Sequence, residues 1–204
     1  MKKINLQYLI FLFLLLRMNC FSQSKINLEY QNDNLINEIG IGLIQQINAG
    51  EKNILYSDID CKKLKSKDAK IGKDIIPLLN KIDYSILFFV CIEKNSKSYK
   101  IVTSMGKYAY IKPSDKFIFY SWNEFLKNQV TSVESKNKNL NPLFDKINGK
   151  SVSLKNIQFD DEIEVITVRD NWLNIRNTTI DKTYWLKWKD GNKLLIYLNF
   201  YCKK

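Results

Sequence analysis

Apolar and aromatic residues fall in short runs separated by turn-forming residues, a pattern typical of a β-rich chain. The most regular stretch has runs at residues 84–93, 98–104 and 108–112. Because the connections are too short for helical crossovers, neighbouring strands must run antiparallel. The sequence therefore predicts an antiparallel meander, preceded by a short strand at residues 53–56.

The C-terminal third carries a similar pattern. Asn148-Gly149 and Asp190-Gly191 are hairpin turn signals. Short strands are predicted at residues 158–168, 172–176, 183–188 and 194–200, after an opening segment at 141–144. Five or so short strands in about 60 residues leave no room for a parallel crossover, so they indicate a small closed or nearly closed barrel.

The two β regions contain the same landmarks in the same order. The landmarks are residues 53–56, 98–101 and 110–112 in the first copy, and 141–144, 172–175 and 185–187 in the second. The later landmarks are offset by 74 and 75 residues and the opening one by 88, which leaves about 13 extra residues in the first copy. A repeat of this period predicts one structural unit used twice.

Two helices are predicted outside these strands. Apolar residues recur every four positions through residues 32–47, which predicts an N-terminal amphipathic helix ended by Gly50. Ser121-Trp122-Asn123-Glu124 has the residues of a capping box and predicts a short linker helix with Trp122 on its packed side. The polar residues 131–139 are predicted to be an extended linker between the two units.

The N-terminus has the features of an export signal. Lys2 and Lys3 precede an unbroken apolar run at residues 8–16. Arg17 ends that run, which is far shorter than the roughly 20 residues that a membrane-spanning helix needs. The favoured outcome is cleavage near Ser22, at the small residues that a signal peptidase reads.

Lipidation of Cys20 is the alternative processing event, and it would be the chain's only expected contact with a membrane. The residues before Cys20 do not suit that reaction, so simple cleavage is favoured. The predicted organisation is a signal peptide at 1–22, a first unit at 23–120, a linker at 121–139 and a second unit at 140–204. The expected location is the periplasm, the cell surface or the extracellular medium.

The charge of the chain favours anionic partners. The chain has 32 lysines and arginines, 21 acidic residues and no histidine, a net charge of +11. Cleavage removes three basic residues, so 29 against 21 leaves +8. The lysines are scattered and only Arg169 and Arg176 survive cleavage, whereas nucleic-acid recognition relies on arginine. A cell-wall polymer or a peptide or protein ligand is therefore expected, and nucleic acid is not.

The cysteines allow one internal disulfide. Cys61, Cys91 and Cys202 remain after cleavage, and a bond between Cys61 and Cys91, both in the first unit, is slightly favoured. The alternative is that Cys91, in an apolar run, is a small buried hydrophobic residue. The spacings match no zinc pattern, so no metal site is predicted.

The second unit resembles the bacterial SH3-like (SH3b) domain. The resemblance rests on Trp172-Leu173-Asn174-Ile175, a polar loop and Tyr184-Trp185-Leu186-Lys187-Trp188, and it covers residues 140–200. A looser copy covers residues 53–112, with Ser98 and Tyr110 at the tryptophan positions. The family's glycine before the second tryptophan is replaced by Tyr184 and, in the first copy, by Ala109. The resemblance implies two tandem SH3-like β-barrels that bind or target without catalysing a reaction.

Catalysis is not expected, and neither is a cofactor. The absence of histidine removes the usual general base. Carboxylate pairs remain, and a carboxylate-dependent hydrolase is the remote alternative. These pairs are Asp58 with Asp60, and Glu162 with Glu164 beside Asp160 and Asp161. Calcium at Asp160, Asp161 and Glu162 is a further alternative, but the loop spacing of a dedicated calcium site is missing. A solvated charged rim is the favoured interpretation of both.

Exposed aromatic residues are the better guide to function. Strand alternation sends Leu173 and Ile175 to one face and Trp172 to the other, and it separates Leu186 from Trp185 in the same way. Trp172 and Trp185 are therefore the candidate ligand contacts. The alternatives are that both are buried against the linker helix or the other barrel, and that the protein is an envelope docking subunit or an inhibitor.

Overall fold

The structure is a computed structural model, and it describes residues 26–48, 50–152 and 163–200. The described chain is mainly β, and its strand ladders are antiparallel. The signal peptide predicted at residues 1–22, including Cys20, lies outside the described residues. No helix in the described ranges is long and apolar enough to cross a membrane.

The first unit forms one large sheet. Its strands are β1 (Gly42–Gln46), β2 (Asn53–Tyr56), β3 (Leu64–Ala69), β4 (Leu79–Lys81), β5 (Ile86–Lys94), β6 (Tyr99–Ser104), β7 (Lys107–Ile111) and β8 (Phe117–Ser121), with a 3-10 turn at Ile82–Tyr84. Seven of them follow the order β3-β2-β7-β6-β5-β1-β8. β4 pairs with the first part of β5, on the edge that β6 occupies further along. β5, β6 and β7 form the predicted meander.

The N-terminal helix predicted over residues 32–47 is wrong for most of its length. Only the single turn α1 (Asp33–Ile36) is helical, and β1 follows as a central strand between β5 and β8. Gly42 permits this position, because a Cβ there would lie 2.2 Å from the carbonyl oxygen of Tyr120. Leu43 and Ile44 are both fully buried, in the clusters on opposite faces of the sheet.

The second unit forms smaller sheets. Its strands are β9 (Ser132–Ser135), β10 (Ile163–Arg169), β11 (Trp172–Asn177), β12 (Lys182–Lys187), β13 (Lys189–Asp190), β14 (Lys193–Leu194) and β15 (Ile196–Asn199). β10, β11 and β12 form a meander, β13 and β14 a hairpin, and β9 pairs with β15. The polar stretch predicted as an extended linker therefore contributes a strand, and the sheets close into no barrel within the described ranges.

The meanders of the two units have the same strand register. Cys91 pairs with Ile101 in the first unit, and Val165 pairs with Ile175 in the second, so both partners are offset by 74 residues. In each unit the register then shifts by one residue, between positions 91 and 93 and between positions 165 and 167. The two meanders therefore share a β-bulge at the same place.

Two further strand pairings occur in both units. Tyr56 pairs with Tyr110 in the first unit, and Phe144 pairs with Trp185 in the second. The first strand of each unit also pairs with its last strand, β1 with β8 and β9 with β15. The order of landmarks found in the sequence therefore corresponds to a repeated scheme of strand pairing.

One hydrophobic cluster joins the two units. It contains side chains from the large sheet, such as Phe88, and side chains from β11 and β12, such as Leu173 and Leu186. The helix α2 (Trp122–Asn128) lies between them and buries Trp122 and the other apolar residues of its packed side. Its capping box at Ser121 and Glu124 is formed as predicted.

Tryptophan rings and a buried glutamine connect the units at this cluster. Trp122 packs on Trp188 of the second unit with ring centroids 5.1 Å apart. The Gln31 side chain donates to the backbone oxygen of Ile196 (3.1 Å) and accepts from the backbone N–H of Leu198 (3.0 Å). The Gln31 backbone also bridges to Leu79, so this residue links β15 to the large sheet.

Candidate functional site

Three aromatic side chains lie together on the outer face of the second unit, Trp172 and Trp185 on the meander and Phe144 beside it, and they are here called the aromatic patch. Each is half-buried, whereas the strand neighbours that point inward are buried. Trp172 lies opposite Lys187 and Trp185 lies opposite Asn174, so the two tryptophans are diagonal neighbours on one face. The structure thus places both predicted tryptophans at the surface and brings them together.

Phe144 is the member that sequence reasoning missed. Its backbone exchanges two hydrogen bonds of 2.8 Å with Trp185. Its ring meets the Trp172 ring edge-on, with centroids 5.3 Å apart and planes at 87°. Phe144 therefore fixes both tryptophans, one through the backbone and one through an aromatic contact worth roughly 0.5–1.5 kcal/mol. The sequence feature that could have identified Phe144 is the repeat landmark at residues 141–144, which ends at this residue.

Cationic side chains border the aromatic patch. The Arg169 guanidinium lies 5.8 Å from the Trp185 ring centroid. Arg176 pairs with Asp181 (2.7 Å) and Lys187 pairs with Asp190 (2.9 Å), so their charges are compensated. Among the described residues no carboxylate lies within 4.0 Å of Arg169. The patch thus offers aromatic surface beside a guanidinium that pairs with no described carboxylate.

Trp172 and Trp185 are not the tryptophans that are buried between α2 and the second unit. Trp122 and Trp188 are buried there. Trp122 and Trp188 are 7% and 2% exposed. The Trp122 indole N–H donates to the backbone oxygen of Ile39, and that of Trp188 donates to the backbone oxygen of Asp170, both at 2.9 Å. The four tryptophans therefore divide into two structural residues and two half-exposed ones.

The predicted disulfide is not formed in the structure. Cys61 and Cys91 are both free thiols, and both are buried. Cys91 lies in the core of the first unit, where burial raises the pKa of its thiol to about 12. In the structure Cys91 is a small buried residue of the hydrophobic core, as the alternative prediction states.

Asp58 and Asp60, one of the carboxylate pairs of the hydrolase hypothesis, are bonded to nearby backbone and lysine groups. Residues 57–60 form bends and turns, so Asp58 and Asp60 do not share a strand face. Asp58 accepts backbone hydrogen bonds from Lys62 and Lys63, and the bond from Lys63 is the main cause that lowers its pKa. Asp60 pairs with Lys97 at 2.8 Å, and this hydrogen bond also lowers its pKa. A general acid needs the opposite shift.

The other candidate carboxylates form no described site. Glu164 is exposed on β10, and Asp160, Asp161 and Glu162 lie outside the described residues. Across residues 26–48, 50–152 and 163–200, no group of three or more cysteine, aspartate or glutamate side chains is placed to hold a metal ion.

Comparisons with known proteins add no assignment. No protein-family model, no curated protein and no solved structure matches the chain. The functional conclusion therefore depends on the geometry of the surface and on the repeated strand pairing.

Proposed function

We propose that the protein is an exported, non-catalytic binding protein built from two SH3-like units, and that the aromatic patch contacts its ligand. The ligand class we propose is a cell-wall polymer or its peptide. The half-exposed pair Trp172 and Trp185 is the observation that carries this proposal. Large, rigid aromatic side chains supply contact area at a low entropic cost, which is why they dominate binding surfaces.

Three further observations support the proposal. The repeated register, with its shared bulge, is what two copies of one small β module would have. Each unit pairs its first strand with its last strand, which brings the two ends of the unit together. Arg169 beside Trp185 suits a ligand that carries carboxylates, such as the peptides of wall polymers.

Docking of one partner through the surface between the units is a weaker candidate. That surface is occupied by the chain's own side chains, among them Trp122, Phe125 and Trp188. A partner would have to displace a packed core to reach it. The aromatic patch is half-buried at the surface and can be reached without displacing a packed core, so it is the surface we propose.

Replacing Trp172 and Trp185 by alanine is expected to abolish retention of the protein on purified peptidoglycan sacculi. Loss of two central aromatic contacts costs roughly 2 kcal/mol or more each, which is at least a tenfold loss of affinity per residue. The measurement is co-sedimentation at several sacculus concentrations, with a thermal melt to show that the variant is folded.

Tyr84→Ala is the matched control for this experiment. Tyr84 is an aromatic residue of the first unit that is 49% exposed, and its ring contacts the ammonium group of Lys81. It therefore resembles the patch tryptophans in being an aromatic surface residue beside a cation. Its replacement is expected to leave retention unchanged. Equal retention of the wild type and the double tryptophan variant would contradict the proposal.

A further inference from the structure

The outer face of the first meander carries a different cluster of aromatic residues. Tyr56 on β2 and Tyr108 and Tyr110 on β7 lie on that face, because their strand neighbours point into the core. Those neighbours are Leu55, Ala109 and Ile111, each about 1% exposed. The repeated pairing puts Tyr56 and Tyr110 at the positions that Phe144 and Trp185 occupy in the second unit.

Three lysines are held against these tyrosines. Lys100 Nζ lies 4.8 Å from the centroid of the Tyr108 ring, and Lys112 Nζ lies 5.0 Å from that of Tyr56. Lys65 Nζ donates a hydrogen bond of 2.9 Å to the backbone oxygen of Tyr108. An ammonium has three N–H donors, so each of these lysines keeps donors for an anion. The cation–π contacts restrict where the ammonium groups sit.

The charge of these lysines is largely uncompensated. Among the described residues, no carboxylate lies within 4.0 Å of the ammonium of Lys65, Lys100 or Lys112. The carboxylate in contact with this cluster is that of Glu38, which accepts a hydrogen bond from the Tyr108 hydroxyl. Within these contacts three ammonium groups face one carboxylate, so the cluster has an excess of positive charge.

We propose that this surface is an anion-binding site for an acidic polysaccharide. The surface consists of Tyr56, Tyr108, Tyr110, Lys65, Lys100 and Lys112, and we call it the basic tyrosine face. Carboxylates of the polymer pair with the three ammonium groups, which project from neighbouring strands. The site is distinct from the aromatic patch and does not depend on it.

The geometry favours an acidic polysaccharide over nucleic acid. Proteins that bind single-stranded nucleic acid stack bases on open aromatic rings. Here the chain's own ammonium groups lie over the Tyr56 and Tyr108 rings. The cations are also lysines, which act as point charges, and not the arginine forks that phosphate and base recognition prefers. Charge pairing with a flexible carboxylated chain requires neither open rings nor forks.

Binding of polygalacturonate oligosaccharides, measured by calorimetry at low salt, tests the proposal. Lys100→Gln/Lys112→Gln is expected to weaken this binding about tenfold and to flatten its dependence on salt, because fewer ion pairs form. Lys127→Gln/Lys193→Gln is the matched control. It removes the same charge from exposed positions in α2 and β14, and it is expected to leave the affinity within about twofold.

Two further measurements distinguish this site from the aromatic patch and compare polygalacturonate with other anionic ligands. Trp172→Ala/Trp185→Ala is expected to bind polygalacturonate like the wild type, whatever its effect on sacculi. Failure of the wild type to bind, an unchanged affinity in the Lys100/Lys112 variant, or a loss in the tryptophan variant would overturn the proposal. So would tighter binding of an oligothymidylate or of phosphatidylglycerol vesicles than of polygalacturonate.

Discussion

Replacing Trp188 by alanine is expected to lower the free energy of unfolding of the whole chain by about 3–5 kcal/mol. Trp188 is 2% exposed, packs on Trp122 and donates its indole N–H to a backbone oxygen. Its removal leaves a large cavity where the second unit meets α2. The loss is a large fraction of the roughly 5–15 kcal/mol that stabilises a typical domain. Urea unfolding followed by circular dichroism measures it.

The same experiment tests whether the two units share one core. Because a single hydrophobic cluster runs from Phe88 to Leu186, the wild type is expected to unfold in one cooperative transition. Tyr197→Ala is the control, since Tyr197 is an aromatic residue of the second unit that is 47% exposed, and it should change the stability by about 1 kcal/mol or less. Two separated wild-type transitions, or a Trp188 variant as stable as this control, would contradict the account.

Replacing Gly42 by alanine is expected to destabilise the chain by about 2–4 kcal/mol. The added Cβ would lie 2.2 Å from the carbonyl oxygen of Tyr120 and 3.0 Å from the Cα of Ser121. Both atoms belong to the backbone of β8, so the clash is relieved only if β1 and β8 separate. Since β1 is a central strand, that movement disturbs the core on both faces of the sheet.

Gly50→Ala is the control for this substitution. A Cβ at Gly50 would have no neighbour within 4 Å, and the residue does not have a positive φ. Its replacement should change the free energy of unfolding by about 0.5 kcal/mol or less. Equal thermal and urea stability of the two alanine variants would show that β1 is not held between β5 and β8.

Local patterns predicted the two meanders and the linker helix because each depends on short-range chemistry. The β-branched and aromatic runs that form β5, β6 and β7 are separated by two- to four-residue turns, which fix antiparallel neighbours. The capping box at Ser121 and Glu124 is a contact between residues three apart, so the sequence displays it directly. The repeated landmarks predicted that one structural unit is used twice, and the two meanders have the same strand register.

β1 was predicted as a helix because it is buried on both faces. A strand covered on one side alternates apolar and polar residues, whereas Leu43 and Ile44 are adjacent, apolar and buried in different clusters. Such a run cannot be distinguished from one face of a helix by its periodicity. Gly40 and Gly42 are the residues in the sequence that argue against a helix, and the structure gives Gly40 a positive φ of 61°.

Edge strands escaped prediction for the opposite reason. β3 is rich in lysine and mostly exposed, and it lies at the end of the large sheet. Polar and lysine-rich residues are common on edge strands because they discourage pairing with other chains, so hydrophobicity gives no signal there. β9 was read as part of a polar linker, since its partner β15 lies some 60 residues further along the chain.

The candidate site was predictable only in part. Alternation placed Trp172 and Trp185 opposite the buried residues of their strands, and the structure has them there, half-exposed. Phe144 joins them through backbone bonds to Trp185, 41 residues away, and no local pattern predicts a contact of that range. The lysines of the basic tyrosine face are among those that look scattered in the sequence, because their grouping exists only after folding.

The resonances of the four tryptophan indole N–H groups, followed during titration with muramidase-solubilised peptidoglycan fragments, test the proposed function most directly. Trp172 and Trp185 are half-exposed in the aromatic patch, whereas Trp122 and Trp188 are buried and hydrogen-bonded to the backbone. The account predicts that the first two signals shift in proportion to saturation while the other two stay in place. Absence of any shift at saturating fragment, or a shift confined to Trp122 and Trp188, would contradict it.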